Sequence, residues 1–276
     1  MLEYFKKSYQ RKLARRVTKE YPPTVDQVSL ENEGEIDFAN WSNPLVPHYT
    51  LTQSCVDFFK QFIKEGDLVI DVGANIGDTT VPMALAAGKS GVTLGFDPNP
   101  YVYKILEANA ALNPDKTNIV PLPYAISKEE DEFYFISSEA SFGNGGISPT
   151  RDGIHGKFIH PEKIKGIDLT RFLKRNYENQ LDKFSFIKID AEGYDKEIIK
   201  SIRGLIQEYK PVIVAESFAG NSDDAKMELF EVIQRDGYQV FFFDDFDIDT
   251  STKSIKNKEG MTEWKKTINI YAIPLP

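Results

Sequence analysis

Two apolar runs in this chain stop at an aspartate and then turn on glycine: Leu68-Val-Ile-Asp-Val-Gly-Ala-Asn-Ile-Gly77 and Phe184-Ser-Phe-Ile-Lys-Ile-Asp-Ala-Glu-Gly193. A buried parallel strand reads this way when it delivers a carboxylate to its C-terminal end and hands the chain to a helix. Ligands of open α/β sheets sit in the crevice outside those ends. Asp190 or Glu192 there suits a general base that orients or deprotonates a hydroxyl, and Glu216 ends another apolar run in an equivalent way. Lys188 shares a strand face with Asp190 by the two-residue period, so a structural ion pair is the competing reading. Nothing in the spacing chooses among the three carboxylates.

The first segment has the spacing Gly-x-x-x-Gly between Gly73 and Gly77, not the Gly-x-Gly-x-x-Gly that seats a pyrophosphate. Gly73 lets the backbone approach a ligand closely, and Asn75 tolerates a left-handed turn. Asp78, Thr79 and Thr80 open the next helix, with Pro82 in its first turn. Asp71 could brace the amides of its own turn or face a ligand. Asp97 ends the next apolar run 20 residues past Gly77, the usual place for a carboxylate that holds ribose hydroxyls. Its alternative is a helix cap. This half of the chain reads as binding a nucleoside, but not a dinucleotide.

Together with Gly95-Phe-Asp-Pro-Asn-Pro100, the two segments resemble the FkbM-type methyltransferases, within the class I S-adenosylmethionine-dependent enzymes. The resemblance runs from about Gly66 to Ile273, with its motifs in the family's order. It implies a cofactor pocket formed by Asp71, Gly73, Ala74, Asn75, Gly77, Asp78 and Thr79 of the turn. Asp97 and Pro98 would take the ribose, Ala125 and Ile126 the adenine, and Asp190 would border both cofactor and acceptor. The implied activity is O-methylation of a sugar, a glycan or another small polar hydroxyl compound, with Asp190, Glu192 and Glu216 as catalytic candidates. Two alternatives stand beside it: a nicotinamide-dependent oxidoreductase, disfavoured by the missing Gly-x-Gly-x-x-Gly, and a catalytically silent methyltransferase-like binding subunit. Residues 1–65 and 137–166 lie outside the resemblance and are expected to choose the acceptor.

Positioning these groups requires a doubly wound α/β domain, and the alternation of strand and helix patterns over residues 66–276 predicts one. The expected sheet is Rossmann-like, mostly parallel and seven-stranded, with helices on both faces. The resemblance makes its last strand antiparallel. Helices are predicted over 52–64, 167–177 and 195–209, among others. An insertion over about 128–166 reads as a short hairpin followed by a glycine-rich loop from 138, expected to cover the crevice. Residues 1–65 read as a helical extension.

Composition narrows the remaining possibilities. At 276 residues and 41% apolar the chain is ordinary globular material. It has no apolar run of about 18 residues to span a bilayer. A charged N-terminus unlike a signal peptide and a single cysteine, Cys55, point to the cytoplasm. Residues 1–19 carry seven Lys/Arg and one Glu, a net of +6, which leaves −15 for the rest. An acidic body argues against a nucleic-acid partner. Leu2, Phe5, Tyr9 and Leu13 recur at helical spacing among those basic residues. Such a helix could lie peripherally on an anionic membrane, dock on its own acidic body, or dock on a second subunit of a homo-oligomer. His48, His155 and His160 form no metal-ligand pattern. Oxygen ligands at Asp190, Glu192 and Glu216 would suit magnesium, but no metal site is predicted.

Overall fold

The computed structural model describes residues 2–153 and 155–275, with side chains from Tyr4 onward. Helix α1 (Leu2–Ala14) leads to a hairpin of β1 (Pro23–Leu30) and β2 (Gly34–Trp41), then to α2 (Gln53–Lys60). The next units are β3 (Leu68–Val72), α3 (Thr80–Ala87), β4 (Val92–Phe96), α4 (Pro100–Ala111) and β5 (Ile119–Leu122). Four strands follow: β6 (Tyr124–Ile126), β7 (Asp131–Ser137), β8 (Gly146–Ser148) and β9 (Phe158–Ile167). The chain then runs through α5 (Leu169–Asn176), β10 (Phe184–Ile189), α6 (Asp195–Ser201), α7 (Arg203–Tyr209) and β11 (Val212–Ser217). It ends with α8 (Asp223–Gln234), β12 (Tyr238–Phe243), β13 (Thr252–Ile255) and β14 (Ile268–Pro274).

The main sheet has the order β13-β12-β14-β11-β10-β3-β4-β5. Strands β11, β10, β3, β4 and β5 pair in parallel, while β14 runs antiparallel between β11 and β12. The seven expected strands are present, and β13 adds an eighth by pairing antiparallel with β12. Buried on both faces, the central strands are apolar along most of their length, with Asp71 and Lys188 the charged exceptions in β3 and β10. Leu68, Ile70 and Val72 of β3 pack in the core shared with α5 to α8, whereas Val69 packs with Phe58, Phe59, Met83 and Phe186. Each such buried side chain contributes about 1.5–3 kcal/mol. The alternation sends Asp71 and Lys188 to the same side of the sheet as Val69 and Phe186.

Several local expectations are corrected. Residues 1–65 are not helical throughout, because 23–41 form the β1–β2 hairpin, turned at Gly34 with φ 70°. Its inward positions Ile36 and Phe38 alternate as a half-buried strand requires. The glycine-rich part of the insertion is not simply a loop: β8 and β9 join β7 and β6 in a second sheet of order β6-β9-β7-β8. Ile167 therefore ends a strand, and the helix behind it starts at the Asp168 cap, whose side chain accepts from Arg171 N. The helix expected over 195–209 is two helices with Ile202 between them, and the one expected over 52–64 stops at Lys60. Among the described residues no helix is long and apolar enough to cross a membrane.

Candidate functional site

The parallel strands β3, β4, β10 and β11 all end at one cleft of about 1060 Å³. Gly73 (φ 77°) makes its inner corner possible: a Cβ there would sit 2.0 Å from the Asp190 carbonyl oxygen. Only glycine lets the end of β3 lie against the end of β10, where Asp190 N donates to Val72 O at 2.9 Å. The turn continues through Asn75 at φ 48°, whose N–H donates to Asp97 Oδ2 at 2.8 Å. Asn99 N donates to Asp97 Oδ1 at the same distance. Burial pushes the Asp97 carboxyl up to about 7 even though these two amides favour its charged form.

Asp71 is held by side chains rather than by the amides of its own turn. Its Oδ2 accepts from the hydroxyls of Thr79 and Thr80 at 2.8 and 2.7 Å, and its Oδ1 from Lys188 Nζ at 3.1 Å. Fully buried, Asp71 does not line the cleft, and neither do Ala74 and Gly77; all three shape the turn from behind. Gly73, Asn75, Asp78, Thr79, Asp97, Pro98, Ala125 and Ile126 do line it. Lys188 also reaches Gly73 O at 3.3 Å and Asp190 Oδ2 at 3.6 Å. Burial alone would lower its pKa, but Asp71, Asp190 and Asp78 outweigh burial and raise it. Lys188 is thus a buried cation that ties β3 to β10 and holds one side of Asp190. Asp78 is pushed up to about 6 by burial, against the pull of Lys188.

Asp190, Glu192 and Glu216 line the same cleft, close enough that Asp190 and Glu192 act on Glu216. Glu192 stands in a left-handed conformation (φ 50°) before Gly193 (φ 92°), and burial and Asp190 both raise its pKa. Glu216 is pushed up to about 8 by burial, then by Asp190, Asp195 and Glu192. Its Oε2 is enclosed and makes no hydrogen bond. Asp195, just outside the sequence motifs, accepts from Glu216 N at 3.0 Å and from Gly193 N at 3.3 Å. Burial raises its carboxyl to about 7. Its only sequence signal was its place in the first turn of a helix after a glycine.

Three distant segments complete the wall. Tyr49, Thr52 and Cys55 enter from the stretch before β3, and residues 245–247 from the loop after β12. The Tyr49 hydroxyl lies 3.7 Å from Cys55 Sγ, and burial pushes the thiol up to about 12, far from a reactive thiolate. Residues 143–147 and His155 enter from the second sheet. Asn99 pins that sheet to the Asp97 turn, its Nδ2 donating to Phe142 O at 2.8 Å. His48 instead pairs with Asp26, and His160 packs edge-on to Tyr101. Among the described residues no group of three or more His, Cys, Asp or Glu is placed to hold a metal ion.

The methyltransferase FkbM domain model matches residues 71–240, more than half of the chain. The chain belongs to the FkbM methyltransferase family. A relative of this FkbM protein is the hexuronic acid methyltransferase AglP of Haloferax volcanii, 25% identical over 162 residues. That match covers 59% of this chain and 61% of the relative, so the chain spans about three fifths of the relative's length. Among solved structures, the FkbM methyltransferase of Methylobacillus flagellatus KT is 14% identical with a TM-score of 0.46, covering 76% of this chain and 44% of that one. The SAM-dependent O-methyltransferase of Thermotoga maritima is 12% identical with a TM-score of 0.40, covering 92% and 78% respectively. The FkbM match includes the glycine turn and the carboxylates Asp190, Glu192 and Glu216. It leaves out Tyr49, Cys55 and residues 245–247 of the cleft wall.

Proposed function

We propose that this FkbM protein is an S-adenosylmethionine-dependent O-methyltransferase whose acceptor is a hydroxyl of a sugar, a glycan or another small polar metabolite. The observation that carries the reading is the pairing, in one cleft, of an amide-anchored Asp97 with the Asp190, Glu192 and Glu216 group. Each Asp97 oxygen spends one acceptor position on a backbone amide and keeps another for a ribose hydroxyl. Phe96, Ala125 and Ile126 offer apolar surface to an adenine, so the residues fit the cofactor. When bound, the cofactor supplies an electrophilic methyl group for displacement by oxygen. The chain's part is to hold the acceptor hydroxyl in line, where orientation contributes most. Glu216, which lines the cleft, takes the hydroxyl proton, its pKa lying near ambient pH as an effective base requires. Lys188 keeps Asp190 in place beside it.

The relative's hexuronic acid supports a sugar acceptor. The cleft itself favours an uncharged one: among its described lining residues the basic groups are His155 and Lys188, and Lys188 is already engaged. One buried free thiol, Cys55, supports a cytoplasmic setting. Calorimetry with S-adenosylhomocysteine and with NAD tests the cofactor. The demethylated product should bind with a dissociation constant of about micromolar order, and Asp97→Ala should weaken it by roughly 10- to 100-fold through loss of a charged acceptor. Unchanged affinity in the variant, or binding of NAD alone, would overturn the assignment.

A further inference from the structure

Helix α1 turns an apolar stripe away from the body that carries it. Phe5, Tyr9 and Leu13 follow one another at four-residue intervals, so they share a face, and they are 62, 67 and 38% exposed. Lys6 and Lys12 flank that stripe, one on either side, at 100° per residue. The opposite face holds the helix in place. Ala14 is fully buried, Arg11 Nε donates to Pro44 O at 3.1 Å, and Ala140 N donates to Arg15 O at 3.3 Å. The helix is thus held on the body through its C-terminal end, and the stripe is left outside that contact.

We infer that α1 is an interfacial helix that seats Phe5, Tyr9 and Leu13 in an anionic bilayer surface, with Lys6 and Lys12 at the headgroups. A bilayer offers what the stripe requires, an apolar layer bordered by negative charge. A second copy of the chain offers less. Two α1 stripes facing each other would bring their flanking lysines together. Away from this N-terminal segment, the exposed large apolar side chains among the described residues are Val25, Tyr194, Ile248 and Leu275, single positions on separate parts of the chain. The remainder of the protein carries a net −15, which anionic headgroups repel, so α1 alone makes the contact and the association weakens with salt. An enzyme held this way meets membrane-borne hydroxyl acceptors at high local concentration. The inference does not depend on the identity of the methyl acceptor.

Vesicle co-sedimentation tests it, using phosphatidylcholine vesicles and equimolar phosphatidylcholine–phosphatidylglycerol vesicles. The intact chain should sediment with the anionic vesicles at low salt, and much less at high salt or with phosphatidylcholine alone. Lys6→Glu/Lys12→Glu should weaken partitioning by at least roughly 30-fold. Phe5→Ser/Tyr9→Ser/Leu13→Ser should abolish it with all basic residues kept and the thermal unfolding of the body unchanged. Equal sedimentation of the intact chain and the serine variant, or none of the intact chain at low salt, would overturn the inference. A concentration-dependent dimer that the serine variant loses would assign the stripe to a second copy instead.

Discussion

At Asp97 and Glu216, one kind of side chain meets two different surroundings. Two backbone amides fix Asp97 in a single orientation, whereas Glu216 keeps an oxygen without a partner among three other carboxyl groups. On the proposed reading, in which Glu216 is the proton acceptor, a pKa of about 8 sets its working range. Glu216→Gln should therefore lower turnover by about 10²- to 10⁴-fold with product affinity retained. Below its pKa Glu216 holds a proton and cannot accept another, so the wild-type rate should rise with pH through about 8. Steady-state kinetics across pH checks both, and full turnover in the amide variant would mean that Glu216 only shapes the cleft. The carboxylates themselves were legible, because a charge that ends an apolar run is conspicuous. The partner of Lys188 was not. It faces Asp71, its neighbour across the β3–β10 register, more closely than the Asp190 two residues away.

Among the elements, the β1–β2 hairpin and the second sheet both act on the glycine turn from outside. Asn109 on α4 is the joint for the hairpin: its Oδ1 accepts from Ala39 N at 2.7 Å, and its Nδ2 donates to Ala39 O and Ile76 O at 2.9 and 2.7 Å. Asn109→Ala would leave those buried backbone groups unpaired, at about 1–3 kcal/mol each. Urea unfolding should show a loss of several kcal/mol, and product affinity should fall because Ile76 belongs to the turn. A variant as stable as the wild type would show that the hairpin is held by packing alone. The alternation at Ile36 and Phe38 is present in the sequence, but two positions alone do not specify a hairpin. The second sheet was harder to see. Its β8 is three residues long and begins at a glycine pair, and it becomes a strand only by pairing with β7.

Across the whole molecule, the carboxyl groups in and behind the cleft have pKa values that burial raises: Asp78 to about 6, Asp97 and Asp195 to about 7, and Glu216 to about 8. In the unfolded chain these groups titrate near 4. Between about pH 4 and pH 8 the folded state therefore binds more protons than the unfolded one, and stability falls as pH rises. The loss is complete once pH passes the folded values. Glu228 works in the opposite sense: Lys196 and Lys200 hold it down to about 2, and its contribution disappears only as pH falls through that value. Melting temperature should thus decline from about pH 5 to about pH 8.5. Asp97→Asn and Glu216→Gln should each flatten that decline, and a profile unchanged in both variants would contradict the assigned shifts.

By itself the sequence determined the elements that carry the chemistry. Apolar runs long enough to be buried on both faces, each ended by an aspartate and a glycine, define the parallel strands and the order in which they present Asp71, Asp97 and Asp190. These are local properties, set by side-chain burial and backbone freedom within a few residues. The tertiary structure decided which carboxylates reach the cleft and which stay behind it. Asp71 is withdrawn because Thr79, Thr80 and Lys188 already satisfy it, while Glu216 and Asp195 become neighbours only where β11 lies beside the turn after β10. The wall built from Tyr49, His155 and residues 245–247 is likewise a product of packing. Those side chains have no mutual spacing in the chain, and they meet only because the sheet brings its strand ends to one edge.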